Sequence, residues 1–170
     1  MKKTIMMAVV SVMAAGHTVA GPGDFKTGPV IDEFGPVATV TGAPLDAEAQ
    51  FKVAFDVADA AEPGTVNRRL ESAARFLNMH AASGVPVENI DIAIIVHGPA
   101  ALDLVRGDEN ANARLIAALI EAGVTIELCG QTAAYRDIAA DDLLPGVTLS
   151  LSAMTSHALL QQDGYTLNPF

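Results

Sequence analysis

Basic residues are scarce in this chain of 170 residues: ten Lys and Arg stand against twenty Asp and Glu, for a formal net charge of −10. That balance speaks against nucleic acid or an anionic membrane as a partner. The acidic residues are scattered rather than blocked, as on an ordinary solvated surface. Cysteine is scarcer still, with Cys129 the only one. Without a second thiol there is no disulfide framework, so stability has to come from packing or from assembly. Gly-x-Gly-x-x-Gly and the phosphate-binding Gly-Lys loop are both missing, which leaves nucleotide binding without a motif. No Gly-x-Ser-x-Gly elbow supports a Ser-His-Asp triad. His80, His97, His157 and Cys129 are not at metal-ligand spacing, since no two of them are separated by two to four residues. Neither a metal nor another cofactor is expected.

The first twenty residues read as a signal peptide. Lys2 and Lys3 precede a short apolar core, IMMAVVSVMAA at 5–15, and Thr18-Val19-Ala20 ends in the small residue that a signal peptidase prefers. The apolar run is too short for a comfortable permanent anchor. No cysteine follows it, so no lipoprotein anchor is expected there. Cleavage near Ala20 would leave 150 residues (170 minus 20), enough for one domain with a real core. Removing Lys2 and Lys3 leaves eight basic residues against twenty acidic ones, a net charge near −12. No later segment is long and apolar enough to cross a membrane, so the mature protein is expected to be soluble. The short, Met-rich leader points to a bacterial periplasm.

Residues 21–48 are rich in Gly and Pro and read as an N-terminal arm, with a short edge strand expected at Val37–Val40. Beyond it, 49–170, strand and helix patterns alternate. Phe51, Val53, Phe55 and Val57 alternate with Lys52, Ala54 and Asp56 in a first strand. A helix is predicted over 66–82, with Val66, Leu70, Ala73, Leu77 and Ala81 on one face and Gly84 after its end. IDIAIIV at 90–96 has the continuous apolar character of a strand buried on both faces. A helical turn at 100–106, a helix over 109–122 and a third strand at 124–128 follow. A short helix is predicted at 132–139, a fourth strand at 147–151, a last helix at 154–162 and a further strand at 165–167. Short loops between alternating elements predict a three-layer α/β domain with a mainly parallel sheet. Right-handed crossovers then gather the strand C-terminal ends on one rim, where open α/β sheets bind ligands. Asp56, His97, Cys129 and Ser152 all fall at or just past such ends. Thr125, Glu127, Thr148 and Ser150 alternate with apolar residues and give the sheet a half-polar face near its edge. That face is either solvated, covered by the arm, or a contact between subunits.

Cys129 heads the candidate residues. It is either a small buried hydrophobe or a thiol kept for its reactivity. A sulfur at a strand-to-helix turn lies near the helix's free N–H groups, which favour the nucleophilic thiolate. Gly130 removes a side chain that would crowd the sulfur, and Gln131 and Thr132 offer further hydrogen bonds. His97 is suited to binding a ligand, holding a proton or pairing with a thiolate, and equally to capping backbone. His157 lies near the start of the last helix, which Ser152 or Thr155 caps. His80, inside the first long helix, reads as structural. Asn67 either caps that helix or lines the rim, and Arg68 or Arg69 could raise the local positive potential.

VHGPAALDLV at 96–105, LIAALIEAGVTIELCGQTA at 115–133, and LLPGV followed by SAMTSHALLQQDGY at 143–165 resemble the DsrE/DsrF-like family, and more narrowly its exported single-domain members. The likeness covers roughly 50–170, and the Cys-Gly-Gln-Thr segment with its strand is its most specific part. It implies an α/β/α sandwich with a five-stranded, mostly parallel sheet, and homo-oligomers, often trimers or hexamers. It also implies a cysteine that accepts sulfane sulfur and passes it on as a persulfide, and Cys129 holds that position here. The partner implied is a small sulfur compound or a sulfur donor or acceptor protein. This chain departs from the sulfur-relay relatives in its leader, since they are cytoplasmic and act beside partner subunits.

Three functions follow as expectations. The first is a periplasmic sulfur carrier using Cys129, with His97 and backbone donors stabilising the anion. The second is a non-enzymatic ligand-binding or assembly module with a packed cysteine. The third is a redox sensor working through sulfenic acid or a mixed disulfide.

Overall fold

The computed structural model describes residues 20–169. The leader read at 1–20 therefore lies outside the described residues except for Ala20. Five strands, β1 (Phe51–Val57), β2 (Ile90–Val96), β3 (Thr125–Cys129), β4 (Thr148–Ser150) and β5 (Thr166–Asn168), form one sheet in the order β4-β3-β2-β1-β5. All four pairings are parallel. The helices are α1 (Arg68–Ala82), α2 (Ala113–Glu121), α3 (Gly130–Arg136) and α4 (Ala153–Gln162). The expected α/β sandwich with a parallel sheet is what the chain forms.

Two-residue periodicity divides the sheet into two faces. Val53, Phe55, Val57, Ile92, Ile94, Val96, Ile126 and Leu128 join Leu70, Ala73, Leu77, Leu115, Ile116 and Leu119 in one core. α1 and α2 thus cover that face, and each fully buried Leu or Ile there contributes on the order of 1.5–3 kcal/mol. The opposite face carries Asp56, Ile95, Glu127 and, at the strand ends, Cys129, and α4 crosses it. α4 is a thin cover, because only Ser156 among its residues is buried. Nearby, Leu149, Leu151, Met154 and Leu159 are exposed.

Several element ends differ from the periodicity, each for a local reason. α1 starts at Arg68 because Asn67 caps it, accepting from the Arg69 N–H. α2 starts at Ala113 rather than 109. Asn110 turns the chain first, accepting from the Asn112 N–H while donating to the Asp103 and Val105 carbonyls. α3 begins at once after Cys129 and stops at Asp137, a non-glycine residue at φ 55°. The edge strand expected at 37–40 is reduced to a single antiparallel bridge between Lys26 and Val37.

The Gly/Pro-rich segment is stapled to α1. Asn78, fully buried, accepts from the Val30 and Ile31 N–H groups and donates to the Ile31, Phe34 and Gly35 carbonyls. Gly35 lies so close that a Cβ there would come within 2.3 Å of the Arg75 nitrogen, and its φ of +64° favours glycine. Ile31 is buried in the main core as a result. His80 is structural, as its place in α1 suggests: its ring stacks on Phe76 and its Nδ1 lies 2.7 Å from the Phe76 carbonyl.

Candidate functional site

Parallel pairing aligns the strand ends. Val96 pairs with Leu128, so His97 and Cys129 occupy the next rung, side by side at the rim. Cys129 pairs in turn with Ser150 on β4. The turn from β3 into α3 is immediate, with Cys129 as the residue before the first helical position. The chain from β4 then enters α4 through Ser152, whose hydroxyl accepts from the Thr155 N–H. Two helices therefore start beside one sulfur.

The sulfur is well supplied with donors. The N–H of Ala153, the N–H and hydroxyl of Thr132, and the N–H of Gln131 lie near enough to favour its thiolate. Thr132 Oγ1 accepts from the Gly98 N–H at 3.2 Å, which leaves its own hydrogen free for the sulfur. Partial burial alone would raise the Cys129 pKa, but these bonds outweigh it and hold the thiol below its ordinary value. The residue as a whole is only 6 % exposed. A groove of about 430 Å³ between β4 and α4 is lined by Glu127, Ser150, Leu151, Thr155, Ser156, Leu159, Leu160 and Asp163, and Cys129 is not part of its lining.

Asp56 organises the rest of the rim. Its carboxylate receives His157 Nε2 at 2.8 Å and His97 Nε2 at 3.2 Å. Partial burial alone would raise its pKa, but the hydrogen bonds and charges of both imidazoles outweigh it and hold the carboxyl below its usual value. A carboxylate accepts only, so each Nε2 carries the donated hydrogen. His157 Nδ1 is buried without a partner. These three side chains meet as a hydrogen-bonded trio. Among the described residues, no group of three or more His, Cys, Asp or Glu is arranged to hold a metal ion.

The structure brings together Cys129, Gly130, Gln131, Thr132, His97 and His157. No hydrogen bond joins His97 to Cys129 among the described residues. Gly130 serves a different neighbour from the one expected. A Cβ there would meet the Ser150 carbonyl at 2.4 Å, so the glycine admits the end of β4 rather than clearing space around the sulfur. The Gln131 side-chain amide is turned to the Leu151 carbonyl at 3.4 Å. Asn67 is buried and fully engaged. It caps α1, donates its side-chain amide to the Asp59 carbonyl and the Asp103 carboxylate, and donates its backbone N–H to Asn112 Oδ1, leaving no donor for a ligand. Arg69 reaches the Pro169 carbonyl. Sequence reasoning placed Asp56 at the rim but gave it no role. Its signal was a carboxylate near the end of β1, alone among the apolar residues of 53–57. The Ala153 amide left no side-chain signal at all.

Fold and rim together define a parallel α/β protein with one donor-rich thiol at the carboxyl ends of its strands. The chain belongs to the DsrE/DsrF-like family, whose model matches residues 52–169. Among solved structures it is similar to a protein of unknown function, MTH1491, from Methanobacterium thermoautotrophicum. The two are 20% identical with a TM-score of 0.56, over 71% of this chain and 100% of that one. It is also similar to the ychN protein from E. coli, at 16% identity and a TM-score of 0.54, again over 71% of this chain and 100% of the other. Both likenesses concern the fold. No curated protein matches the chain.

Proposed function

We propose that this protein is an exported sulfur carrier that holds sulfane sulfur as a persulfide on Cys129. The observation that carries the reading is the place of a lone sulfur at the strand ends, at the turn into α3 and beside the start of α4, among N–H and hydroxyl groups that lower its pKa. Such donors favour the thiolate, which is the form that attacks sulfur. In the loading step the thiolate attacks the sulfane sulfur of a donor persulfide or thiosulfate. A bond forms between Cys129 Sγ and that sulfur, and the donor's own S–S bond breaks. Its electron pair leaves with the donor thiolate or sulfite, so no oxidant is consumed. In unloading, an acceptor thiolate takes the outer sulfur and the Cys129 thiolate leaves. His97, on the neighbouring strand end, adds a polar side chain to the rim on which a sulfur compound would dock. The leader read at 1–20 supports a periplasmic location for the carrier.

The test is intact mass after incubating the protein with thiosulfate, polysulfide or a persulfide donor. One added sulfur on the wild type and none on Cys129→Ser is the expected result. No addition, or equal addition to both, rules the reading out.

A second reading has its own observation. Leu149, Leu151, Met154 and Leu159 are 42%, 71%, 81% and 60% exposed around β4 and α4, an apolar surface that suits assembly. In this reading the protein forms homo-oligomers, trimers or hexamers, through that surface. Light scattering on Leu151→Asp with Met154→Lys checks it. A drop in mass from the wild type supports assembly there, and an unchanged mass removes it.

A further inference from the structure

α4 is fastened to the sheet by polar side chains rather than by apolar packing. Ser156 is its only buried residue. Two bonds near its start hold it: Ser156 Oγ to Glu127 Oε2 at 2.6 Å, and His157 Nε2 to Asp56 Oδ1 at 2.8 Å. Cys129 pairs with Ser150, and Ala153 opens α4 three residues further on, so its N–H, one of the groups favouring the thiolate, starts the helix beside the sulfur four residues before His157. Four residues are about one helical turn, so the amide and the imidazole share a face of α4 roughly 6 Å apart along its axis. A roll or lift of α4 that breaks the bond to Asp56 also carries the amide off the sulfur. The titratable groups facing this pair are His97, from the end of β2, and Glu127, from β3.

We infer that Asp56 and His157 are positioning residues for Cys129, their bond seating α4 so that the Ala153 N–H stays on the sulfur. The inference deepens the sulfur-carrier reading by assigning what prepares its thiol. Its readout is ionisation of the thiol and needs no sulfur donor, so the two fail separately. A carrier that loads sulfur with an unaltered thiol in the variants sinks only the inference. A tuned thiol that takes no sulfur sinks only the carrier.

The bond to Asp56 and the mere presence of its charge predict opposite signs. A carboxylate near a thiolate repels it, so removing the charge alone favours ionisation. Loss of the Ala153 donor disfavours it. The experiment is the rate of iodoacetamide alkylation against pH, alongside ultraviolet thiolate absorbance, on the full chain. Asp56→Ala and His157→Ala are each expected to slow alkylation at neutral pH about fivefold and to move the thiol titration upward. The double variant is expected to be no slower than either single one, because both break the same bond. His157→Gln, whose amide nitrogen can donate to Asp56, is expected to recover most of the rate. Alkylation at the wild-type rate or faster in either alanine variant overturns the inference. If the alanine variants lose their cooperative melt, His157→Phe carries the test. It keeps a ring in place, removes the donor to Asp56 and leaves the Asp56 charge unchanged. A slower rate supports the inference, and a rate equal to or above wild type overturns it.

Discussion

The carbonyl of Ser150 stands where a side chain on Gly130 would have to go, 2.4 Å from an ideal Cβ. Gly130 opens α3 and Ser150 ends β4, so this contact sets how closely the edge strand approaches the cysteine turn. Both partners in the clash are backbone, which has little room to yield. Gly130→Ala is expected to push β4 outward and to lower stability by about 1–3 kcal/mol. Urea denaturation checks this, and a midpoint within error of the wild type refutes it.

Thr132 connects two parts of the rim. Its oxygen accepts from Gly98 while its hydroxyl faces the sulfur. Thr132→Val keeps the shape and removes both bonds. The Cys129 thiol is then expected to titrate higher, and alkylation at neutral pH to slow about fivefold. The two rates should converge at alkaline pH, where both thiols are ionised. A ratio that stays constant across the pH range would point to altered access instead.

Acid should reveal Asp56. Its folded pKa lies below the ordinary carboxyl value of 3.8. Its contribution is therefore complete above the unfolded value and lost as pH falls through the folded one. Asp56→Asn is expected to cost about 1 kcal/mol at neutral pH, a modest figure because solvent screens a carboxylate that is 39% exposed. The deficit relative to wild type should close in strong acid. Denaturation curves at neutral and acid pH decide it, and a deficit independent of pH refutes it.

Asn78→Ala would strand two N–H groups, that of Ile31 buried and that of Val30 part-buried, and leave three carbonyls short of a donor, all between Val30 and Gly35. The expected loss is about 2–4 kcal/mol. Amide exchange should quicken across 26–37 before it does in β2. Uniform exchange throughout would mean that the segment is not held by this side chain.

The strands and helices were legible because β2 is a continuous apolar run and α1 and α2 carry their leucines at helical spacing. Parallel order then follows from alternation, and the rim position of Cys129, His97 and Asp56 follows from parallel order. What was hidden depends on packing across the sheet. Nothing in the spacing of Asp56 and His157, 101 residues apart, says that they meet. The Ala153 donor is a backbone group, identical in type at every residue, and only the tertiary placement of α4 makes it matter. Asn67 was misleading for the opposite reason. A helix-capping asparagine near a strand end looks available, yet Asp103 and Asn112, from a distant loop, close around it.

The strand order has a consequence for biosynthesis. β1, the first strand made, lies between β2 and β5, and β5 spans Thr166–Asn168. One side of β1 therefore keeps open hydrogen-bonding groups until residues 166–168 are available to pair with it. A nascent chain released early would carry a bare edge flanked by apolar side chains, the kind of surface that invites chaperones or mispairing.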